Sequence, residues 1–247
     1  MKIFVCIDDT DNIESRGTGE LAALLAADID KNGWGRSHYI TRHQLLVHPD
    51  VPYTSHNSSM CFAADIHNSQ LDTVISHAGN FLKKESAKGS DPGLCIAVSD
   101  RLTRPETVIE FGQKAKRMIL TKQESYGLAN DLGIHLSEHG GTGDGVIGAL
   151  AGAGLRMSGN DGRLRGKIKI DSPNQTIKVS EICAHPSVDE VRNLDGQVIP
   201  DDQIIELGEK VKTVLLGGKL ILLVMPVEGE TSSASWRTCP KHVLKTY

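Results

Sequence analysis

The residues best suited to chemistry are three aspartates near the N-terminus, in Ile7-Asp8-Asp9-Thr10-Asp11. They directly follow a compact apolar run, Lys2 to Ile7, which predicts a buried strand. Ligands of open α/β sheets gather beyond the carboxyl ends of strands. Adjacent carboxylates repel one another, and a hard cation shared with phosphates removes that penalty. The motif therefore predicts a Mg²⁺ site formed by Asp8, Asp9 and Asp11; an acidic turn exposed to water is the alternative.

A second motif, Arg16-Gly17-Thr18-Gly19-Glu20, lies where the first helix is predicted to begin. Gly17 and Gly19 let a phosphate approach the backbone, and a helix N-terminus supplies amide donors and a positive dipole end. Two roles are open for Thr18. Its hydroxyl either receives or coordinates phosphate, or it only caps the helix, a position that threonine favours.

A third motif is the glycine-rich segment from Gly140 to Gly148, in which Gly143, Gly145 and Gly148 match the dinucleotide fingerprint in letters. Its late position, ahead of a β-rich sequence, argues against a dinucleotide-binding fold. No Gly-Lys-Ser/Thr ends it, so it is not a Walker A loop. We expect a loop at a helix N-terminus that suits an anion, with Gly143 and Gly145 facing phosphate oxygens. The later glycines of the helix are predicted to serve close packing.

Four histidines fall within a short stretch, His38, His43, His48 and His56. On the strand predicted from Tyr39 to Val47, His38 and His48 would share one face and His43 the other, so zinc is not expected. Asn57 and the serines after it are expected to line a pocket instead.

Four elements alternate in the next part of the chain: a strand at Met60–Ile66, a helix at Leu71–Lys84, a strand at Leu94–Val98 and a helix at Glu106–Leu120. Polar segments at 55–59 and 121–125 bound this stretch. We therefore predict that residues 58–124 form a ferredoxin-like subdomain, inserted into an ATP-binding α/β domain made by residues 1–57 and 125–160. The fold class is α/β (α+β).

After Leu164 the apolar residues come in short groups separated by turns, which predicts a small β-rich module over residues 161–247. The predicted strands are Ile168–Ile170, Ile177–Ile182, Val211–Leu216 and Leu220–Val227. A strand carrying Arg163, Arg165, Lys167 and Lys169 would place all four cations on one face. The tail after Glu228 is expected to be a loose extension.

Composition excludes several classes of protein. The 247 residues contain 39% hydrophobic and 23% charged residues, typical of a globular chain rather than a disordered or fibrous one. Aromatic residues make up only 4%, and the net charge is −4, which disfavours a dedicated nucleic-acid binder. Apolar runs are too short for a signal peptide or a membrane span, so we expect a cytoplasmic protein without a membrane partner.

The five cysteines form no Cys-x-x-Cys pair, and those in strand-like runs are expected to be buried: Cys6, Cys61, Cys95 and Cys183.

The motifs resemble, in order, the N-terminal part of the archaeal agmatinylcytidine synthetases that modify an isoleucine tRNA. The matching segments are Ile7 to Asp11, Thr18 ahead of Leu21-Ala22, Pro49-x-x-Pro52-Tyr53 with Asn57, Asp91-Pro92-Gly93, and Gly145 to Ala151. The resemblance covers roughly residues 1 to 157. It implies a kinase-like domain that uses ATP and Mg²⁺ through the acidic motif, a phosphorylated threonine at the position of Thr18, and a ferredoxin-like domain beside it.

The sequence departs from that family at several points. The family's basic Lys-Thr-Arg-Gly-Asn segment is Thr54-Ser55-His56-Asn57-Ser58 here, and Gly17 and Gly19 stand where the family has cysteine and threonine. The zinc-ribbon cysteines are also missing. The resemblance therefore supports an ATP site more than a tRNA substrate, and we expect the chain to bind tRNA weakly.

Together these patterns predict an ATP- and Mg²⁺-dependent phosphotransferase or ligase that acts on an unidentified small molecule or RNA. Asp8, Asp9 and Thr18 would be catalytic, and Thr10, Gly17, Gly19, Gly143, Gly145 and Asn57 would contact the nucleotide. A non-catalytic protein that senses a nucleotide or binds RNA is the alternative. A haloacid-dehalogenase-type phosphatase ranks last. Its Asp-x-Asp-x-Thr pattern, started at Asp9, requires a threonine at position 13, where this sequence has Ile13.

Overall fold

The computed structural model describes residues 1–51, 57–172, 174–227 and 234–247, and its chain divides into two compact units, Met1–Ser158 and Gly159–Tyr247. Three sequence features lie outside the described residues: Pro52-Tyr53, the segment Thr54 to His56, and residues 228–233 of the tail. None of the described helices is both long enough and apolar enough to span a bilayer.

The first unit is an antiparallel sheet with helices on both faces. Its strands are β1 (Lys2–Asp8), β2 (Gly35–Gln44), β3 (Ser58–Ile66), β4 (Gly93–Val98) and β5 (His135–Glu138). Its helices are α1 (Thr18–Lys31), α2 (Leu71–Glu85), α3 (Pro105–Ala115), α4 (Lys122–Leu132) and α5 (Gly145–Ser158), with 3₁₀ turns at Asn68–Gln70 and Ser99–Arg101. The strand order is β5-β4-β1-β3-β2, with antiparallel neighbours throughout. The expected α/β fold class is confirmed.

β1 lies at the centre of this sheet. Alternation of its side chains sends Ile3, Val5 and Ile7 into the core under α1 and α2, and Phe4 and Cys6 into the core under α3, α4 and α5. Burial on both faces explains why the strand reads as one continuous apolar run.

β3 and β4, both from the segment 58–124, pair with β1 on its two sides. This segment therefore completes the sheet of the N-terminal strand and does not build a separate sheet.

Three cysteines form a row across the middle of the sheet. Cys6 is paired with Cys61 on β3 and with Cys95 on β4, and all three are free and fully buried. Burial raises the pKa of the Cys6 and Cys95 thiols above the ordinary value. Their expected role as small buried hydrophobic residues is confirmed.

Helix α5 packs closely against its neighbours because it is rich in glycine. A Cβ on Gly152 would lie 2.6 Å from Cys6 Sγ, and one on Gly154 would overlap the Val108 carbonyl of α3. From the other side, a Cβ on Gly112 would come within 2.6 Å of the Ala151 carbonyl oxygen. The packing role predicted for the later glycines of α5 is confirmed for Gly152 and Gly154.

The helix predicted over Glu106–Leu120 ends earlier, at Ala115, and a further helix, α4, starts at Lys122. Thr121 and Glu124 form a capping box, in which Thr121 Oγ1 accepts from the Glu124 amide and Glu124 Oε2 accepts from the Thr121 amide. Thr121 and Glu124, which make the segment 121–125 polar, are the signal of this helix start.

The second unit is a small sheet with short helices. Its strands are β6 (Arg163–Leu164), β7 (Thr176–Lys178), β8 (Glu190–Asn193), β9 (Ile204–Glu206), β10 (Thr213–Leu216), β11 (Lys219–Pro226) and β12 (Trp236–Thr238). The order is β6-β10-β11-β12-β9-β7, and β8 pairs with β11 in parallel. The helices are α6 (Val179–Cys183) and α7 (Lys241–Leu244).

Four expectations for this unit were wrong. Residues 168–170 form no strand, only an isolated bridge between Ile168 and Val211. The predicted strand Ile177–Ile182 becomes a helix after Lys178, so Cys183 lies at a helix end and is only half-buried. β6 ends at Leu164 and Arg163 is buried, so the four cations do not share one strand face. The end of the tail is ordered as β12 and α7.

Candidate functional site

A cavity of about 600 Å³ opens in the first unit, where β1 ends and α1 and α5 begin. This volume suits a small ligand such as a nucleotide. The walls divide into an acidic part and an apolar part. The acidic part comprises Asp8, Asp9, Asp11, Asp50, Asp91 and Asp144, and the apolar part comprises Leu45, Leu46, Val51, Ala115, Met118, Ile119, Leu120 and Ile147.

Asp8, the last residue of β1, is buried at the base of the acidic wall. Its carboxylate lies against the backbone of Gly148 in α5, where a Cβ would overlap its Oδ2. Burial, and then the neighbouring charge of Asp9, raise the pKa of Asp8 from 3.8 to about 8. The sheet and α5 therefore hold a carboxylate in a place where its charged form is costly without a cation.

Asp9 has a positive φ of 49°, unusual for a residue with a side chain but tolerated by aspartate. This turn breaks the strand and brings Asp9 into the cavity wall beside Asp8. Burial raises the pKa of Asp9 to about 6, assisted by the charges of Asp91, Asp11 and Asp144. Four acidic side chains thus act on one another at this wall.

Thr18 is the first residue of α1, and Gly17, not Thr18, occupies the N-cap position. The Thr18 hydroxyl donates to Asp11 Oδ1 at 3.0 Å and accepts from the Thr10 hydroxyl at 3.1 Å. The capping role left open for Thr18 is therefore wrong. Its hydroxyl instead faces the aspartate motif at the cavity wall.

The glycine-rich loop before α5 is held by Asp91. The amides of Thr142 and Gly143 both donate to Asp91 Oδ1, the latter at 3.2 Å. Gly143 has a φ of 80°, and a Cβ there would overlap the Glu138 carboxylate. The Gly143 amide thus donates to a carboxylate of the protein itself. Gly143 is not among the described residues that line the cavity.

Gly145 does line the cavity. Its backbone lies so close to Gly93 that a Cβ on either residue would overlap the other's backbone or that of a neighbour. This contact joins the start of α5 to the start of β4, and it accounts for the glycines of the Asp91-Pro92-Gly93 and Gly145 segments.

Asn57 also lines the cavity, as expected, but its side-chain amide is engaged by the chain itself. Asn57 Nδ2 donates to the Leu46 carbonyl at 2.7 Å, and the Leu45 amide donates to the Asn57 carbonyl at 2.9 Å. Asn57 therefore fixes the segment that carries the apolar wall. Among the described lining residues, Thr10, Gly17 and Gly19 do not appear; Thr10 is fully buried behind Thr18.

Two cations near this site were missed by sequence reasoning. Arg42 on β2 donates through Nε to Ser58 Oγ at 2.8 Å, and it lies close enough to Asp11 and Asp8 for their charges to act on it. Burial lowers the pKa of Arg42. Lys122, in the cavity wall, donates to the Thr142 carbonyl and lies 3.4 Å from Glu138 Oε1. No motif marks either residue, since one lies within a strand and the other just after a helix cap.

Across the described ranges, no three His, Cys, Asp or Glu side chains converge on a point as a ready-made metal site. The donors at this wall nevertheless fit Mg²⁺, which prefers hard oxygens and takes part of its coordination from substrate phosphates and water. Burial, and after it the charges of neighbouring aspartates, raises the pKa values of Asp8 and Asp9, and a bound cation would offset both effects.

Of the four histidines from His38 to His56, the three that lie in the described residues have separate partners. His38 Nε2 lies 2.7 Å from Asp65, His43 is buried beside the Thr41 hydroxyl, and His48 lies near Asp50. His56 lies outside the described residues.

Fold and cavity together define a mixed α/β unit with an acidic, nucleotide-sized cavity at the end of its central strand. No family model and no curated protein matches the sequence. Solved structures do match in fold, and several of them are structures of a tRNA agmatidine synthetase, the family that the motifs resemble.

Two complexes of TiaS with an isoleucine tRNA, one also holding ATP and the other AMPCPP and agmatine, align with TM-scores of 0.55 and 0.54 at 20% and 18% identity, each covering 82% of this chain and 50% of the other. Apo TiaS, described as a tRNA agmatidine synthetase, aligns with a TM-score of 0.55 at 15% identity over 97% of this chain and 71% of that one. A tRNA fluorescent labeling enzyme aligns with a TM-score of 0.54 at 22% identity over 62% of this chain and 36% of its own. The chain thus spans about half the length of the TiaS chains in the two complexes. The likeness confirms the resemblance as one of fold.

Proposed function

We propose that this chain is an ATP- and Mg²⁺-dependent enzyme that transfers a phosphoryl or adenylyl group, with RNA as the acceptor. The observation that carries the proposal is the hydrogen bond from Thr18 to Asp11 at the wall of a nucleotide-sized cavity whose base holds Asp8. An acidic turn exposed to water would not bury one of its carboxylates or oppose it to an apolar wall.

The two walls of the cavity suit the two ends of ATP. The base would pack against the apolar wall, with Leu45, Leu120 and Ile147 among its contacts. The triphosphate would extend towards the aspartates, where Lys122 and Arg42 supply positive charge.

Asp8, Asp9 and Asp11 would hold Mg²⁺ jointly with the phosphates. When bound, the ion supplies charge neutralisation at the transferring group. Asp8 and Asp9 are then ionised at neutral pH, because a cation favours their charged forms.

Thr18 would accept or contact the terminal phosphate. If it is an acceptor, its O–H bond breaks as the new P–O bond forms, and the proton passes to Asp11, which already accepts that hydrogen bond at 3.0 Å. The bond between the β and γ phosphates breaks at the same time, and ADP leaves. In the second transfer the acceptor's hydroxyl oxygen bonds to phosphorus and the P–O bond to Thr18 breaks. Thr18 Oγ1 takes back the proton held by Asp11, and the acceptor's proton replaces it on Asp11.

RNA is the proposed acceptor because structures with this fold were solved as complexes with tRNA and ATP or its analogue. The chain lacks the family's basic segment at residues 54–58, so its RNA contacts would have to come from other residues.

The test measures release of ADP, AMP or pyrophosphate from labelled ATP with Mg²⁺. Asp8→Ala and Asp9→Ala should abolish turnover, whereas Asp131→Ala, an exposed carboxylate on α4, should not. Circular dichroism verifies that all variants are folded. Equal turnover by the parent and by both site variants would refute the proposal.

A non-catalytic nucleotide sensor is the second candidate, supported by the engagement of the loop amides with Asp91. Those amides are donors that a phosphate-binding loop would offer to its ligand. A sensor would bind Mg-ATP with the same dependence on Asp8 but would release no product during prolonged incubation.

A further inference from the structure

A cationic strip begins in the last turn of α3 and continues past its end, at the mouth of the cavity. Residues 112–123 carry four cations and no acid: Lys114, Lys116, Arg117 and Lys122. The whole chain has a net charge of −4, and the cavity wall nearby is acidic, so this strip is opposite in sign to its surroundings.

The fold places this strip at the cavity rim. Ala115, Met118 and Ile119 line the cavity, and they bracket Lys116 and Arg117 in the chain. Arg117 is exposed, and no hydrogen bond or ion pair joins its side chain to the described part of the chain. Lys122 differs, because its ammonium group donates to the Thr142 carbonyl and lies 3.4 Å from Glu138 Oε1.

Large apolar side chains stand among these cations. Met118 is 51% exposed and Ile119 48% exposed, and Val47 nearby is 57% exposed. A hydrogen bond of 3.0 Å from the Leu46 amide to the Ala115 carbonyl holds the two segments side by side. We refer to Lys114 to Ile119 together with Val47 as the rim strip.

We propose that the rim strip is the docking surface for single-stranded RNA, with phosphates on its cations and an unstacked base on its apolar side chains. The inference rests on the proposed function, since it names the surface that presents the acceptor to the cavity. Charge complementarity supports it: Lys114 and Arg117 are exposed and attract a polyanion, whereas the acidic wall repels any phosphate that arrives without Mg²⁺. The backbone of the RNA would therefore stay at the rim, and only a base with its sugar would enter.

The test uses the full chain and a fluorescent single-stranded RNA of about 12 nucleotides, with binding followed by anisotropy from about 50 to about 200 mM salt. Lys114→Gln combined with Arg117→Gln removes two rim cations. Lys31→Gln combined with Arg36→Gln removes two exposed cations away from the cavity and is the matched control.

In the rim variant, the slope of log affinity against log salt should become shallower by about 1.4, since each phosphate contact on a single strand contributes about 0.7. Affinity at the lowest salt should fall about tenfold or more. The control should keep the slope of the parent. Met118→Ser with Ile119→Ser should weaken binding without changing the slope, because it removes contacts with a base and no charge.

Equal slopes in the rim variant and the parent, or equal changes in the rim variant and the control, would overturn the docking surface. Polyglutamate that competes as well as RNA would assign the strip to an acidic protein and would also overturn it.

Turnover of Mg-ATP without RNA separates this inference from the proposed function. If Asp8→Ala leaves turnover intact while the rim variant changes the salt slope, the proposed function fails and the docking surface is supported. If Asp8→Ala abolishes turnover while the slopes are equal, only the docking surface fails.

Discussion

The carboxylate of Asp8 occupies the space that a side chain on Gly148 would need. A Cβ built on Gly148 would overlap Asp8 Oδ2 and would lie 3.1 Å from Leu45 Cδ1. The position of the central strand's last carboxylate therefore depends on a residue of α5, more than a hundred positions later in the chain.

Gly148→Ala should displace Asp8 and so reduce Mg-ATP turnover by about a hundredfold, with a loss of about 1–3 kcal/mol of stability from overpacking. Gly127→Ala is the matched control, because α4 leaves open space at that position. It should stabilise the helix by about 0.4–1 kcal/mol and leave turnover unchanged. Turnover by Gly148→Ala at the parental rate would show that Asp8 does not need its present position.

Thr18→Ala should abolish labelling of the protein by γ-labelled ATP, while Thr18→Ser should retain part of it. The change removes a hydroxyl that bonds to Asp11 and Thr10, so about 1 kcal/mol of stability should be lost through those bonds and none through helix capping. Mass spectrometry of the peptide from Arg16 to Lys31 after incubation with Mg-ATP provides the measurement. An unmodified peptide together with measurable turnover would leave Thr18 only as a contact.

The ionisation of Asp8 should make the metal-free protein less stable as pH rises. Its pKa is about 8 in the folded state against an ordinary value of 3.8, so folding takes up a proton between these values and the free energy of unfolding falls from about pH 4 to about pH 8. Asp8→Asn lacks this ionisation. Near pH 8 its free energy of unfolding should exceed that of the parent by about 2–5 kcal/mol, whereas near pH 4 the two should differ little.

Thermal unfolding across this pH range, in the absence of Mg²⁺, gives the comparison for Asp8. Parallel stability curves for the parent and Asp8→Asn would contradict the raised pKa.

Asp91→Asn should lower the pKa of Asp9. The variant removes one of the charges that raise this pKa to about 6, while its side-chain oxygen still accepts from the Thr142 and Gly143 amides. The acidic limb of the pH profile of turnover should therefore shift to lower pH by about half a unit or more. Asp50→Asn also removes a cavity-wall charge, but one that does not act on Asp9, and should leave the limb in place. Identical shifts in both variants would point to a general charge effect.

The central part of the fold could be predicted from the sequence because its signals are local. The apolar run before Asp8 predicted β1. The pair Asn32-Gly33 is typical of a helix end, and α1 does end there, with Asn32 as the C-cap and Gly33 at a φ of 67°. The segment Ile177–Ile182 was mispredicted because a short apolar run fits a strand and a buried helix equally well. Helix α4 was missed because Thr121 was interpreted as part of a loop.

The site was only partly predictable, for a different reason. Asp8, Asp9, Asp11 and Thr18 are close in the chain, so their spacing indicated a common site. Arg42 and Asp91 reach this site through strand pairing and loop packing, which the spacing of residues does not encode. For the same reason the sequence predicted a phosphate for the Gly143 amide, which instead donates to Asp91.

The thiols of Cys61, Cys6 and Cys95 can report when the first unit unfolds, because the three residues form a buried row across its sheet. A thiol reagent cannot reach these side chains while the sheet is closed, since all three are fully buried at its centre. Their rate of alkylation would therefore measure how often the first unit opens, in the same way as hydrogen exchange measures the opening of amides. Cys239, which is buried in the second unit, would report on that unit in the same way. One alkylation time course would thus follow the unfolding of both units without an added label.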